Sequence, residues 1–411
     1  MPKKIFIISI VVIVVMLVIL VGGYFLLRDS DVPIGKTISD ILPFGSGDDI
    51  QPTIDDEQPT TETGGQLTTD EFGSPTASLF RISDTPVAGV VVLNKGTSTT
   101  VVRYVDRATG HIYDANLATL EKTRITNQTL PKIYEAYFRT DGNAVLLRSL
   151  RDDSDVVENL SLALTPPRST STDALYAVSS TALRGEVGAV TAGSGNTLIY
   201  TLRDTSSIVS SAFNGTGAKT LLTSPFTDWR LAATGNSLIA YTKAGATVSG
   251  YAYTLNPSSG ALTKILGPLN GLVATPNAPG NRVLYSYVEN NETRLFVKKL
   301  ANNVLSEVPI ATLAEKCVWS KIKTAMIFCG SPSDEIGQNE PDSWYRGATI
   351  FSDRIWSFNT DTEITQVLIE PAIVLDIDID MIGPTLSPKE DYLVFINKTD
   401  LSLWALKLEQ L

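Results

Sequence analysis

Four stretches decide the fold: TDGNAVLL from Thr140 to Leu147, GSGNTLIY from Gly193 to Tyr200, ATGNSLIA from Ala233 to Ala240, and APGNRVLY from Ala278 to Tyr285. A fifth, PKEDYLVF from Pro388 to Phe395, keeps the shape with altered turn residues. Each is a tight turn built on residues that tolerate positive φ, followed by an apolar run. The runs are continuous rather than alternating, which implies strands covered on both faces. Such a unit, recurring about every 40 to 50 residues without helical periodicity, is the pattern of a β-propeller.

Working outward, a second strand recurs after each copy's variable loop: HIYDAN from His111, AYTLN from Ala252, RLFVKK from Arg294, RIWSFN from Arg354 and SLWALK from Ser402. An aromatic holds one register throughout, at Tyr113, Tyr253, Phe296, Trp356 and Trp404. A common position predicts packing between neighbouring units rather than ligand stacking. With four strands per unit, the innermost strands are expected to begin near Val87, Ile133, Gly185, Phe226, Gly271, Glu315 and Ile382. The expected fold is therefore all-β, a seven-bladed propeller over 77–411, with counts of six or eight also fitting the spacing. The last unit stops at its third strand, and ASLFRIS from Ala77 belongs to no unit. The N-terminal strand is thus expected to complete the last blade and remove both open sheet edges.

The turn and strand pattern resembles that of the TolB-like propeller family, whose repeat carries an S-P-D-G-K-type turn before an apolar strand. Here the turn reads Thr140-Asp141-Gly142-Asn143, Ala278-Pro279-Gly280-Asn281 and Ser387-Pro388-Lys389-Glu390-Asp391, each departing from that consensus. The resemblance spans about residues 77–411 and implies a propeller with a scaffold-type role in envelope complexes.

The N-terminal region reads differently. Residues 5–27 contain no charged residue, and 23 residues at ~1.5 Å each suffice to cross a ~30 Å hydrocarbon layer. Lys3 and Lys4 precede this run, while Arg28, Asp29 and Asp31 follow. The positive-inside bias predicts a cytoplasmic stub at 1–4 and a single-pass anchor. A cleaved signal peptide is the competing reading, although its apolar region is normally shorter. Residues 28–76 form an acidic, Thr-, Pro- and Gly-rich stretch expected to act as a disordered stalk. Of the net charge of −11, residues 1–28 carry +3, residues 29–76 carry −10 and the remainder −4. The folded part is only mildly acidic, which argues against nucleic acid as a partner.

One histidine in 411 residues excludes a multi-histidine metal site, and two cysteines exclude a disulfide-rich scaffold. Cys317 and Cys329 flank a hairpin centred on Lys323 and can face one another across it. A cross-strand disulfide outside the cytoplasm and two reduced core cysteines both fit. A Ser-His-Asp arrangement would have to use His111, whose register matches Arg294 and Arg354, and no G-x-S-x-G elbow supplies a nucleophile. No catalytic residue is assigned.

In a propeller, the loops joining second to third strands and those joining successive units share a face, where ligands usually bind. The longest is SPSDEIGQNEPDSWYRG over 331–347, bearing Asp334, Glu335, Asp342, Trp344, Tyr345 and Arg346. Its aromatics either fold onto their own unit or form a recognition surface. The crossing into the last unit places Asp376, Asp378 and Asp380 at alternate positions, which in an extended chain point to one side. Three carboxylates there could chelate Ca²⁺ or hold a basic partner, or form a solvated acidic face. No EF-hand spacing is present, no metal ligand set is assigned, and Ca²⁺ is the one cofactor considered. Arg151 to Asp155 is a third acidic run on the same face. These features together predict an extracytoplasmic propeller on the cell membrane that binds a protein or glycan partner without catalysis. The alternative is a carbohydrate-active hydrolase using carboxylates on the loop-rich face.

Overall fold

The computed structural model describes residues 78–96, 99–151, 156–168, 174–234 and 237–408. The expected membrane span at 5–27, the stalk at 28–76, the Gly235-Asn236 turn and residues 152–155 of the third acidic run lie outside the described residues. Among the described residues no helix is long and apolar enough to cross a membrane.

Apolar runs bounded by turn residues become strands, all paired antiparallel. One four-stranded sheet holds β2 (Val87–Lys95), β3 (Thr99–Asp106), β4 (Ile112–Asn116) and β5 (Lys122–Arg124). The next holds β6 (Ile133–Phe138), β7 (Ala144–Leu150), β8 (Val157–Thr165) and β9 (Ala177–Ala182). A third holds β10 (Val187–Ala192), β11 (Thr197–Leu202), β12 (Ser207–Ala212) and β13 (Lys219–Thr223). Then comes a sheet of seven strands: β14 (Trp229–Thr234), β15 (Ser237–Thr242), β16 (Ser249–Leu255), β17 (Leu262–Pro276), β18 (Arg282–Glu289), β19 (Glu292–Lys299) and β20 (Leu305–Val308). After it lie β21 (Cys317–Trp319), β22 (Met326–Pro332), β23 (Asp353–Asn359) and β24 (Thr365–Ile369). The last sheet orders β1 (Leu79–Ser83), β27 (Leu403–Lys407), β26 (Tyr392–Asn397) and β25 (Met381–Leu386).

Two features of this topology go beyond the repeat pattern. The first described strand pairs with the last, Leu79 opposite Leu406 and Arg81 opposite Trp404. And β17, expected as two separate strands, is continuous. Its first half is the outer neighbour of β16, and its second half pairs with β18, from Asn270 opposite Val288 to Pro276 opposite Val283. Gly267 sits at a register shift in the β16 pairing, three residues before the strand changes partner at Asn270, with φ of 103° and a position at which a Cβ would stand 2.4 Å from Gly250 O. Only glycine fits that approach.

The apolar faces meet between successive units. Val105, Ile112, Val145 and Leu162 join the first two, Leu146, Leu198 and Phe213 the next pair, and Ile208, Trp229 and Leu238 the next. Ile239 and Val283 unite the two halves of the seven-stranded sheet, Leu284, Trp319 and Phe358 continue the series, and Phe328, Ile355 and Phe395 join the last two. Finally Phe80, Val102 and Val394 tie the last sheet to the first. The aromatic of recurring register packs against these seams, as Tyr113 and Phe296 do, and also stacks within its own sheet on the residue opposite it: Tyr113 on Tyr104 with centroids 5.5 Å apart, and Phe296 on Tyr285 at 5.9 Å.

Among the described residues, the turns that carry the repeat join a first to a second strand. Gly142, Gly195 and Gly280 take φ of 71°, 62° and 70°, while the asparagines that follow them stay at negative φ. The last copy has Glu390 there, with φ of 57°. A non-glycine costs about 1–2 kcal/mol in that conformation. Glu390 offsets it by accepting hydrogen bonds from Ser320 Oγ at 2.5 Å, Lys321 N–H at 2.6 Å and Ile322 N–H at 3.1 Å.

Candidate functional site

The inner strands start, and the second strands end, on the side opposite these turns. That side carries the Pro332–Asp353 connection of the sheet beginning at β21 and the crossing from β24 to β25. The insertion forms a short helix, α1 (Asp342–Tyr345), and the crossing another, α2 (Pro371–Val374).

The two segments meet through a buried charge cluster. A short 3-10 helix, Ala314–Lys316, places Lys316 in the interior. Lys316, Asp353 and Asp380 are each 0% exposed. The Lys316 ammonium lies 2.7 Å from Asp353 Oδ2 and also bonds Asp380 Oδ1. Trp344 Nε1 donates to both Asp380 oxygens at 2.8 and 3.0 Å, and Phe351 N–H donates to Oδ2 at 3.2 Å. Asp353 Oδ2 accepts from Met381 N–H at 2.7 Å, but its Oδ1 has no partner among the described residues. Burial accordingly pushes the Asp353 carboxyl up to about 6 despite the neighbouring ammonium.

The expected site residues therefore separate. Trp344 is not an exposed anchor: it is 4% exposed, stacks on Phe351 at 6.3 Å and carries Lys398 Nζ over its ring at 4.6 Å. Tyr345 is half-buried and its hydroxyl donates to Glu315. Burial raises Glu315 above the usual carboxylate range and holds Tyr345 well above a normal phenol. Asp342 turns inward to accept from Ala246 N–H at 2.6 Å. Arg346, Asp334 and Glu335 are exposed. The loop thus folds its aromatics down, and across to the last sheet rather than onto its own unit alone.

Asp376, Asp378 and Asp380 do not share one side. The segment is not a strand, Asp376 takes φ of 55°, and Asp380 swings into the interior while Asp376 and Asp378 face solvent. Alternation places side chains only while the chain stays extended. Among the described residues no group of three or more His, Cys, Asp or Glu gathers as a metal site needs.

Cys317 and Cys329 stand opposite one another in the register of β21 and β22 and are bonded as a disulfide. His111 Nε2 pairs with Thr129 Oγ1 at 3.2 Å on an exposed edge, away from the insertion.

Two concavities open on the loop-bearing side. One of about 590 Å³ is mostly apolar and lined by the second sheet and its flanks, including Leu130, Leu147, Leu150 and Leu160. The other, of about 270 Å³, lies where the sheets of β6, β10 and β14 converge, lined in part by Tyr134, Arg148, Arg203, Arg230 and Lys243. Nothing in the local sequence marks these cations as a group, since they lie far apart in the chain. Their signal was positional: Arg203 and Lys243 each directly follow a second strand, and Arg230 stands at the start of an inner one.

No family model and no curated protein matches the chain by sequence. Solved structures of similar fold include oligogalacturonate lyase from Vibrio parahaemolyticus, with 12% identity, a TM-score of 0.51, and coverage of 81% of this chain and 94% of that one. Streptogramin B lyase gives 12% identity and a TM-score of 0.50, covering 80% and 97%. YCF48 bound to a D1 peptide gives 10% identity and a TM-score of 0.51, covering 80% and 96%. These are propeller-type folds, and the likeness is one of fold. The chain is a β-propeller protein; the family-level resemblance to TolB-like propellers has no matching family model behind it.

Proposed function

We propose that the chain is a single-pass membrane protein that presents a ring-closed, seven-bladed propeller outside the membrane as a non-enzymatic binding platform. The pairing of β1 with β27 and the apolar seams running from first unit to last support seven units and closure. The uncharged run at 5–27 supports the anchor, and a 49-residue stalk behaving as a coil gives an r.m.s. reach of ~40 Å. The TolB-like turn pattern favours the same scaffold role.

The observation that carries this reading is the fate of the carboxylates. A glycosidase needs two facing its substrate, about 5 to 10 Å apart. On this face Asp353 and Asp380 are sealed around Lys316, and Asp342 is engaged by backbone. The smaller concavity on this side has four cations in its lining against two carboxylates. Fold alone favours neither role, since the similar structures include two lyases and a protein bound to a peptide.

The test is capture of envelope proteins by the full chain purified in non-ionic detergent. Reproducible retention of a partner by the folded protein supports the platform, and repeated failure counts against it. A glycan-cleavage screen addresses the hydrolase alternative: activity lost in Asp342→Asn or Asp378→Asn would replace the present reading.

A further inference from the structure

Building on the platform reading, we propose that the cavity where the second, third and fourth units converge binds a small polyanion, a ligand presenting two or more carboxylate or phosphate groups. Its lining includes four cations, Arg148, Arg203, Arg230 and Lys243, against two carboxylates, Glu135 and Asp228.

The cations divide into a held one and three available ones. Arg148 is 6% exposed and fully engaged: Nη1 donates to Glu135 at 2.7 Å, Nη2 to Val187 O at 3.0 Å, and Nε to Asn159 at 3.2 Å. Glu135 is thereby spent. Arg203, Arg230 and Lys243 are exposed, and none forms an ion pair among the described residues. Arg230 leans over the Tyr345 ring at 5.6 Å, toward Glu315, a carboxyl that burial makes a weak holder of charge. Like charges brought to one concavity repel unless an anion joins them, and low-dielectric walls focus their field on whatever enters.

The local backbone leaves room for such a ligand. Gly188 faces Arg203: a Cβ there would stand 2.5 Å from Thr201 Oγ1 and 3.3 Å from Arg203 Nε. Its absence lets the guanidinium lie against the cavity wall. Two guanidinium forks suit bidentate binding of carboxylate or phosphate, and Lys243 adds a point charge. At about 270 Å³ the concavity suits a small ligand rather than a polymer.

Isothermal titration of the full chain in non-ionic detergent decides the matter, using citrate for carboxylates, pyrophosphate for phosphates and acetate as a single-charge control. The expected result is binding of citrate or pyrophosphate at least about tenfold tighter than acetate, weakening as salt is raised. Arg203→Gln and Lys243→Gln are each expected to weaken it several-fold without changing the thermal midpoint, while Lys122→Gln on β5 leaves it unchanged. Binding of citrate alone or pyrophosphate alone assigns the group recognised. No binding of either at about 10 mM, or wild-type affinity in the Arg203→Gln/Lys243→Gln double variant, overturns the proposal. Partner capture is scored separately. Capture without anion binding removes this site and leaves the platform, whereas anion binding without capture removes the platform and leaves the site.

Discussion

Replacing Lys316 with methionine probes the buried cluster directly. Methionine keeps most of the side-chain volume but leaves Asp353 and Asp380, both 0% exposed, without the ammonium between them. Two adjacent buried carboxylates cannot both stay charged, so one must take up a proton on folding. At pH 7 an unfolded aspartate of pKa ~3.9 resists protonation by ~4 kcal/mol, from ~1.36 kcal/mol per pH unit. That figure falls within the ~3–5 kcal/mol expected for breaking a buried pair. The pH dependence follows. In the variant the folded state holds a proton that the unfolded state has lost, so its stability rises by about 2.7 kcal/mol from pH 7 to pH 5. In the wild type the Asp353 carboxyl, at about 6, is raised above its unfolded value of 3.8. It too binds a proton in the folded state first, so its stabilising contribution falls as pH rises from about 4 to 6, and between pH 7 and 5 it returns about 1.4 kcal/mol. The gap between variant and wild type should therefore narrow by about 1.3 kcal/mol on acidification. Urea unfolding at the two pH values measures it. A Lys316→Met protein within about 1 kcal/mol of wild type at pH 7, or a gap that widens at pH 5, would refute the reasoning.

Three further changes test the frame around the site. Glu390→Ala keeps the positive φ but loses three hydrogen bonds, and should cost about 2 kcal/mol in chemical unfolding, with Glu390→Gly recovering about 1 kcal/mol of that by relieving the backbone. Gly142→Ala meets both a φ of 71° and a Cβ placed 2.6 Å from Leu93 Cδ1; a loss of about 1–3 kcal/mol is expected, read as a lowered denaturant midpoint. Chain produced under oxidising conditions should show no free thiol when denatured. Cys317→Ser/Cys329→Ser should then lose about 3 kcal/mol, the closure entropy of a loop whose ends are 12 residues apart.

Much of the architecture was legible because propeller units are built locally. The turns at Gly142, Gly195 and Gly280 need only neighbouring residues to form, and six of the seven anticipated inner-strand starts lie within three residues of observed strand starts. The remaining one, at Gly271, falls inside β17, because nothing local distinguishes a strand that ends from one that runs on and takes a new partner at Asn270. The candidate site was far less legible. Trp344, Tyr345 and Asp380 read as surface residues of loops, yet Trp344 and Asp380 are buried against one another from positions 36 residues apart. Conversely Arg203, Arg230 and Lys243 look like ordinary strand-end charges until three sheets bring them to one cavity.

The sequence by itself thus determined a repeated turn-and-strand unit with an apolar strand, an aromatic register and a conformationally permissive turn, because these depend on side chains a few residues apart. It also determined what chemistry is scarce, with a single histidine in the chain. Only the tertiary structure decided which charges are spent and which are available. Whether a carboxylate is an open ligand or half of a buried ion pair depends on what the neighbouring units place beside it. For Asp380 that partner is a lysine 64 residues earlier in the chain, at a separation no local pattern encodes.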